Sequence, residues 1–445
     1  MGSIQEKVTA AILTVIRARR KPPSAADNDL RFRSPGALAP ATLREARLSD
    51  FSGVAKLKQR WDMEADSLEN WERLWRHNPA LAESGLDRPI GWVLEAEGAV
   101  VGYHGNIVLL YRYGDRTLTA VTGHGLVVEP AYRAAVLRLV ASFYGQKAVD
   151  LYLTTTAIPE VGKIARAFKA DALPQADSET VLFWILEPYT FAQVMIEKLG
   201  FQPALASIGS VSTAVAVGID KLLHRRWPRQ HATGFAVSEI GVHEIGDEFQ
   251  ALWMEKLNEG PRLLADRSPA ALRWHFEIPG DRGNARVLCC RSNGELLGYA
   301  VIRNDPEPNG LRKSSVADML AKQDDPEVLR ALLMAAHDHA KRGGSYILEV
   351  LGFPSSVRQV CLQWNPYQRK YPACPFYYKA ADPVLHKTLS DGMAWYATPF
   401  DGDTTLIRAS FSSSAPPLGS SPGQSKTTRN SIASEVTEQV KSEAC

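Results

Sequence analysis

Cysteine is scarce in this chain: five thiols in 445 residues, at Cys289, Cys290, Cys361, Cys374 and Cys445, with no Cys-x-x-Cys spacing. Neighbours on a strand face opposite ways, so Cys289 and Cys290 do not share an ion, and no metal set is offered. An odd count without a framework reads as reduced and structural, the usage of a cytoplasmic protein. Cys445 lacks the three following residues that a prenylation box needs.

Excess charge is also lacking. Lys and Arg total 51 against 49 Asp and Glu, a net charge of +2. No global field points to nucleic acid or an acidic partner. The short basic runs at 17–21 and 224–229 read as solvated surface. Long hydrophobic runs are missing too. Ala10–Ile16 is too short for a secretory signal and reads as a docking helix, a frayed terminus or an amphipathic helix in peripheral association with a membrane surface. Residues 199–219 are free of charge and long enough to cross a membrane, but too rich in Gly, Ser, Thr, Pro and Gln to do so. No P-loop, Gly-rich dinucleotide fingerprint or G-x-S-x-G is present. Asp401-Gly-Asp403 has the D-x-D form of a metal and nucleotide-sugar site, but Asp-Gly is ordinary turn chemistry.

What is there is core material: 45% hydrophobic and 22% charged residues, enough for two domains. An N-terminal helix and linker (1–40) precede a first block (41–190), a connector (191–235), a second block (236–408) and a Ser- and Pro-rich disordered tail (409–445). The blocks follow one plan. Leu68–Pro79 and Ala270–Pro279 are amphipathic helical segments stopped by proline. Each precedes two apolar runs split by a glycine turn and ending Gly-x-x-x-Gly-Tyr, at Gly98–Tyr103 and Gly294–Tyr299. These are hairpins. Each block then adds a strand (149–154; 346–351), a short helix (161–169; 356–364) and an aromatic strand (181–186; 376–379). The ordered recurrence points to duplication of an α/β unit with a mixed, mostly antiparallel sheet flanked by helices.

Val121–Val140 is the segment with the most chemistry. An apolar strand meets Glu129-Pro-Ala-Tyr-Arg133, and an amphipathic helix follows, an arrangement that holds a pyrophosphate on backbone N–H groups. With its hydrophobic pair Val127-Val128 before Pro, an aromatic and Arg, this resembles the strand-to-turn sequence of the GNAT superfamily, the acyl-CoA N-acyltransferase fold, here as a tandem pair. The resemblance covers 41–190 and, more weakly, 236–408. It implies an acyl-CoA co-substrate (acetyl-CoA or another) and no metal. The co-substrate would lie on Val127, Val128, Arg133, Ala134, Ala135, Val136 and Arg138. The family's turn is Q/R-x-x-G-x-G/A, whose bare backbone approaches the diphosphate; this chain has Val136 and Arg138 where the glycines stand. Ala134 and Ala135 are small, and Arg133 or Arg138 supplies charge.

Amine acylation needs a proton acceptor and a polarised carbonyl. His124, between Gly123 and Gly125, is either the base or a packed strand histidine. Glu129 is a second candidate, or else a solvated strand-end carboxylate. The family's Tyr acid falls on Phe168, so Tyr103 or Tyr152 would substitute unless both are core aromatics. In the second block Asp318 interrupts an apolar strand, as a substrate-binding group together with Tyr103 or as hydrogen-bonded structure. Its turn, Ala321–Asp325, is acidic and repels phosphate. The expected reaction moves an acyl group, acetyl first, to an amine of a small molecule or amino sugar. The rivals are a Fem-type aminoacyl transferase and a non-catalytic binding module. The sequence is silent on the oligomeric state.

Overall fold

Local chemistry explains the elements. The computed structural model describes residues 39–198, 218 and 234–406, apart from short stretches at 62, 85–87, 281–282, 307–310 and 371–375. The N-terminal segment, the 199–219 run except Gly218, most of the connector and the tail lie outside the described residues.

The first block runs β1 (Thr42–Glu45), helices Phe51–Arg60, Leu68–Arg76 and Pro79–Ser84, then β2 (Gly91–Ala96), β3 (Ala99–Tyr113) and β4 (Arg116–Val128). A 3-10 turn (Pro130–Ala135) opens helix Val136–Tyr144. Then come β5 (Leu151–Thr154), helix Pro159–Ala167, β6 (Asp171–Ala172), β7 (Thr180–Ile185) and helix Pro188–Lys198. The second block repeats the order. β8 (Ala236–Ile240) and helix Asp247–Leu257 lead to β9 (Leu263–Ala265) and helix Pro269–Phe276. β10 (Ala285–Ser292), β11 (Glu295–Pro306) and β12 (Arg312–Ala321) are followed by helix Pro326–Arg342 and β13 (Ile347–Leu351). Helix Ser355–Leu362, β14 (Tyr367–Lys370), β15 (Tyr377–Ala380) and helix Pro383–Thr388 complete it.

Both hairpins turn on a residue pair with positive φ, Glu97-Gly98 (50° and 74°) and Asn293-Gly294 (50° and 83°). That is the type I′ geometry whose twist matches the strands it joins. Ser67 and Ser268 cap equivalent helices, their hydroxyls accepting from Asn70 N (3.1 Å) and Ala271 N (3.3 Å).

The strand order is β1-β2-β3-β4-β5-β15-β6 in one sheet, with β9 added beside β3, and β14-β7-β13-β12-β11-β10-β8 in the other. Apart from β9, the two sheets match strand for strand, but the strands do not all come from their own block. The aromatic strand that follows each block's short helix is hydrogen-bonded in the other block's sheet: β7 runs antiparallel to β13, and β15 antiparallel to β5. The sequence order had placed each with its own block. The exchange is well packed: Val181, Leu182, Trp184 and Ile185 of β7 are at most 4% exposed. Burial of four such side chains is worth about 6–12 kcal/mol before conformational entropy is counted.

One core lies between the sheets and joins Trp71, Trp75 and Tyr103 to Phe249, Tyr299 and Tyr396. A second packs helix Pro326–Arg342 on the outer face of its sheet, and a third does the same with helix Val136–Tyr144. Cys289, Cys290 and Cys361 are buried and free, and burial pushes their thiols up to about 12, 11 and 12, so they are inert. Among the described residues no helix is long and apolar enough to cross a membrane.

Candidate functional site

β4 and β5 pair in parallel only from Ala120–Thr122 to Leu151–Leu153. Beyond that, β4 runs on to Val128 while β5 stops at Thr154. The strands part and leave a notch. His124 stands at its edge, opposite Gly105, where the β3–β4 register slips between Tyr103 and Gly105.

Glycine on both sides of His124 has a steric reason. A Cβ on Gly123 would lie 2.7 Å from His104 Nε2, and one on Gly125 (φ 62°) 2.8 Å from Lys58 Cε. The bare positions let polar side chains close on the backbone beside the imidazole. Gly105 does the same for the Tyr103 hydroxyl, which a Cβ there would overlap.

His124 is 4% exposed and is held at both ring nitrogens. Nδ1 lies 3.2 Å from Asp403 Oδ2, and Nε2 lies 3.4 Å from Asp66 Oδ2 and 3.3 Å from Lys58 Nζ. Lys58 donates to Asp66 at 2.8 Å, and Asn70 donates to the other Asp66 oxygen at 2.9 Å. Thr155 donates to Asp403 at 2.7 Å. Burial and the Lys58 charge pull the imidazole down, but hydrogen bonds to Asp403 and Asp66 outweigh them and leave it above its ordinary value. Burial opposes charge on Asp66, yet the His124 hydrogen bond and the His124 and Lys58 charges hold it far below the carboxylate range. Around this cluster the Tyr103 hydroxyl, Thr122 Oγ1 and Trp71 Nε1 are buried with no hydrogen-bond partner among the described residues. Burial, then the Asp66 charge, keeps the Tyr103 phenol well above its usual value. His104, across the strand, is brought down to about 4 by burial.

Other expected site residues are placed differently. Glu129 accepts from Arg60 Nε (2.8 Å) and Trp61 Nε1 (3.2 Å), so it clamps the end of helix Phe51–Arg60 to the turn. Val127 and Val128 pair with Tyr103 and Gly102 in the sheet; Val127 is buried. The turn from Arg133 to Arg138 spends part of its own backbone. Tyr132 N donates to Glu129 O, and Val136 N to Arg133 O. Ala134 is exposed, while Arg133, Ala135 and Val136 are partly so. Arg138 reaches the Ala41 carbonyl at 2.9 Å. Tyr152 donates to the Gln146 carbonyl (2.8 Å), and Phe168 stacks on Tyr144 with centroids 5.1 Å apart.

The second block repeats the notch and fills it. β12 and β13 pair only over Lys313–Val316 and Ile347–Val350. Asp318, opposite Val301, takes the position of His124. It is fully buried: Arg267 grips both its oxygens (3.0 and 3.1 Å), with Tyr299 (2.8 Å) and Thr398 (2.7 Å) donating as well. Arg267 precedes the capping Ser268 as Asp66 precedes the capping Ser67. The carboxylate thus sits on the loop before the helix in the first block and on the strand in the second. The turn after β12 is stapled shut, because Asp324 accepts from Lys256 (2.6 Å) and Arg262 (2.7 Å).

The segment Thr398–Leu406 ties the blocks together. Asp401 accepts from Tyr111 (2.9 Å) and from Thr398 N (2.8 Å), and Asp403 holds His124. The D-x-D is therefore a buried staple, and no His, Cys, Asp and Glu cluster suited to a metal occurs among the described residues. Sequence reasoning missed Lys58, Asp66 and Thr155, and read Asp403 only as part of a turn. Lys58 had a signal: with Val54 and Leu57 it lies on the buried stripe of its helix.

No family model and no curated protein matches the sequence. Solved structures share the arrangement. A probable N-acyltransferase from Enterococcus faecalis superposes with a TM-score of 0.50 at 8% identity, covering 77% of this chain and 73% of its own. A GCN5-related N-acetyltransferase from Anabaena variabilis gives 0.47 at 11% identity, with the same coverage. Saccharomyces cerevisiae N-myristoyltransferase with bound myristoyl-CoA gives 0.46 at 12% identity, over 81% of this chain and 84% of its own. The chain shares the fold of that probable N-acyltransferase, and its two matching sheets exchange the β7 and β15 strands.

Proposed function

We propose that the chain is an N-acyltransferase that moves an acyl group from an acyl-CoA to an amine, with both substrates meeting at the first-block notch. The observation that carries this reading is the contrast between the notches. One is closed by the Arg267–Asp318 pair and the stapled Asp324 turn. The other has His124 at its edge and the half-exposed Arg133–Arg138 turn beyond the end of β4. The fold shared with a probable N-acyltransferase supports the same reading. Helix N-terminal N–H groups would take the diphosphate, and Arg133 would add charge. The acceptor is read as a small amine or amino sugar.

A non-catalytic module is the second reading, favoured by Val136 at the helix start and by the N–H groups the 3-10 turn uses itself. Calorimetric titration with acetyl-CoA and with longer acyl-CoAs separates them. The enzyme reading expects saturable binding that Val136→Asp abolishes and Lys322→Ala, in the second turn, leaves intact. Absence of binding for all of them at high micromolar concentration would refute it.

A further inference from the structure

We infer that Glu129 is the positioning residue of the acyl-CoA turn: its clamp on Arg60 and Trp61 fixes Pro130–Ala135 to the same helix end that carries Lys58 to the notch. The ligand comes from the acyl-transfer reading; the clamp itself does not depend on it.

The turn has little to hold it from within. None of its six residues is buried, and only Tyr132 and Ala135 lie partly against the outer core. Neither the turn nor helix Val136–Tyr144 has a side-chain cap at its start. Glu129 occupies the N-cap position, where a short carboxylate side chain ordinarily accepts from the first free N–H groups. Here it is turned the other way. Oε1 accepts from Arg60 Nε (2.8 Å) and lies 2.6 Å from Arg60 Nη2, while Oε2 accepts from Trp61 Nε1 (3.2 Å). Its backbone is fixed as well, N donating to Val101 O (2.8 Å) and O accepting from Tyr132 N (2.9 Å). The carboxylate is thus kept off the helix start that is read as taking the diphosphate, and Arg60 neutralises a charge that would otherwise repel it.

Arg60 and Trp61 close helix Phe51–Arg60, whose buried Lys58 donates to Asp66 (2.8 Å) and lays its stem against Gly125. One helix end therefore grips both the wall of the notch and the turn beyond it. The second block carries the same link with opposite polarity. Lys322 follows β12 as Glu129 follows β4, and it pairs with Glu255 (2.7 Å) of helix Asp247–Leu257 and with Glu295 (2.8 Å) of the hairpin. What recurs is the joint between strand end and helix, not the sign of its charges.

The test is amide hydrogen exchange in the full-length chain, read by mass spectrometry over Ala131–Val136 without ligand. Glu129→Ala should speed exchange there severalfold and leave the thermal midpoint in place, because a half-exposed pair adds little to global stability. Arg60→Glu should do the same. The double variant Arg60→Glu/Glu129→Lys, with the polarity of the second block, should recover most of the protection. In acyl-CoA turnover Glu129→Ala should raise KM severalfold at unchanged kcat, since the clamp touches no reacting atom, and Glu129→Gln, which keeps an acceptor for Trp61, should restore part of the loss. Lys322→Ala should change neither constant. Unaltered exchange in Glu129→Ala, or a double variant no better than the singles, overturns the clamp whether or not an acyl-CoA binds. Faster exchange with an unaltered KM overturns its link to the cofactor, and a fall in kcat alone would make Glu129 a reacting group instead. A parent chain that binds no acyl-CoA refutes the acyl-transfer reading, with the exchange rates still deciding the clamp.

Discussion

Arg267→Met is the substitution whose consequence follows most directly from the geometry. The guanidinium is fully buried, grips both oxygens of an equally buried Asp318, lies 3.7 Å from Asp401, and covers the Tyr396 and Phe400 rings. Methionine fills much of the space and removes the charge, leaving Asp318 with only hydroxyl donors. Stranding one partner of a buried pair costs about 3–5 kcal/mol. That is a large share of the roughly 5–15 kcal/mol by which a typical protein exceeds its unfolded state. Replacing both partners costs less, because the Asp318 charge is removed together with its cation; Asp401, 3.7 Å from Arg267, keeps its Tyr111 and Thr398 N donors. In the double variant Arg267→Met/Asp318→Asn the Tyr299 and Thr398 hydroxyls would still find an acceptor in the side-chain amide oxygen. Urea denaturation of the full chain reads all four corners of this cycle. The single Arg267→Met chain should lose several kcal/mol, and the double should recover at least about half of that loss. A single variant within about 1 kcal/mol of the parent, or strictly additive losses, would show that the pair is not what holds the second notch closed.

Two further outcomes are expected, beside that of the acyl-CoA titration. Burial, against the pull of Arg267, brings Asp401 up to about 6, whereas an unfolded aspartate titrates near 4. The folded state therefore binds the extra proton between those values, and stability should fall as pH rises from about 4 to 6, by up to about 3 kcal/mol from this group. Asp401→Asn should lack that slope; urea midpoints at pH 4.5 and 6.5 that change in parallel for both chains would refute it. Gly402 has φ 74°, and a Cβ there would overlap both the methyl and the hydroxyl of Thr155. Gly402→Ala should thus lower the thermal midpoint by several degrees, with Thr155→Ala in the same chain restoring part of it; an unshifted midpoint would mean the Asp401–Asp403 staple is looser than described.

Much of the architecture was legible because it repeats. The Glu97-Gly98 and Asn293-Gly294 turns, the Pro326–Arg342 helix and the recurring strand–helix order all show in residue type and period. The exchange of β7 and β15 was not, since periodicity tells that a strand is buried and not which edge it joins. β9, three residues long, is too short to show any period. At the site His124 was found through its flanking glycines, but its partners lie 58, 66 and 279 positions away. Only the fold assembles them. Asp318 read as costly or functional because it interrupts an apolar strand; Arg267, which settles its role, sits in a loop with no pattern of its own.

The traded strands also set a timetable for synthesis. β5 leaves the ribosome more than two hundred residues before β15, the strand that covers its edge. At ~5–20 residues per second the first sheet waits roughly ten to forty seconds with an apolar edge open. An unpaired edge of that kind is a template for another nascent chain. The protein should therefore depend on chaperones during translation far more than its finished, edge-capped form would suggest. A stop codon anywhere before Tyr377 should yield aggregate rather than a working first half.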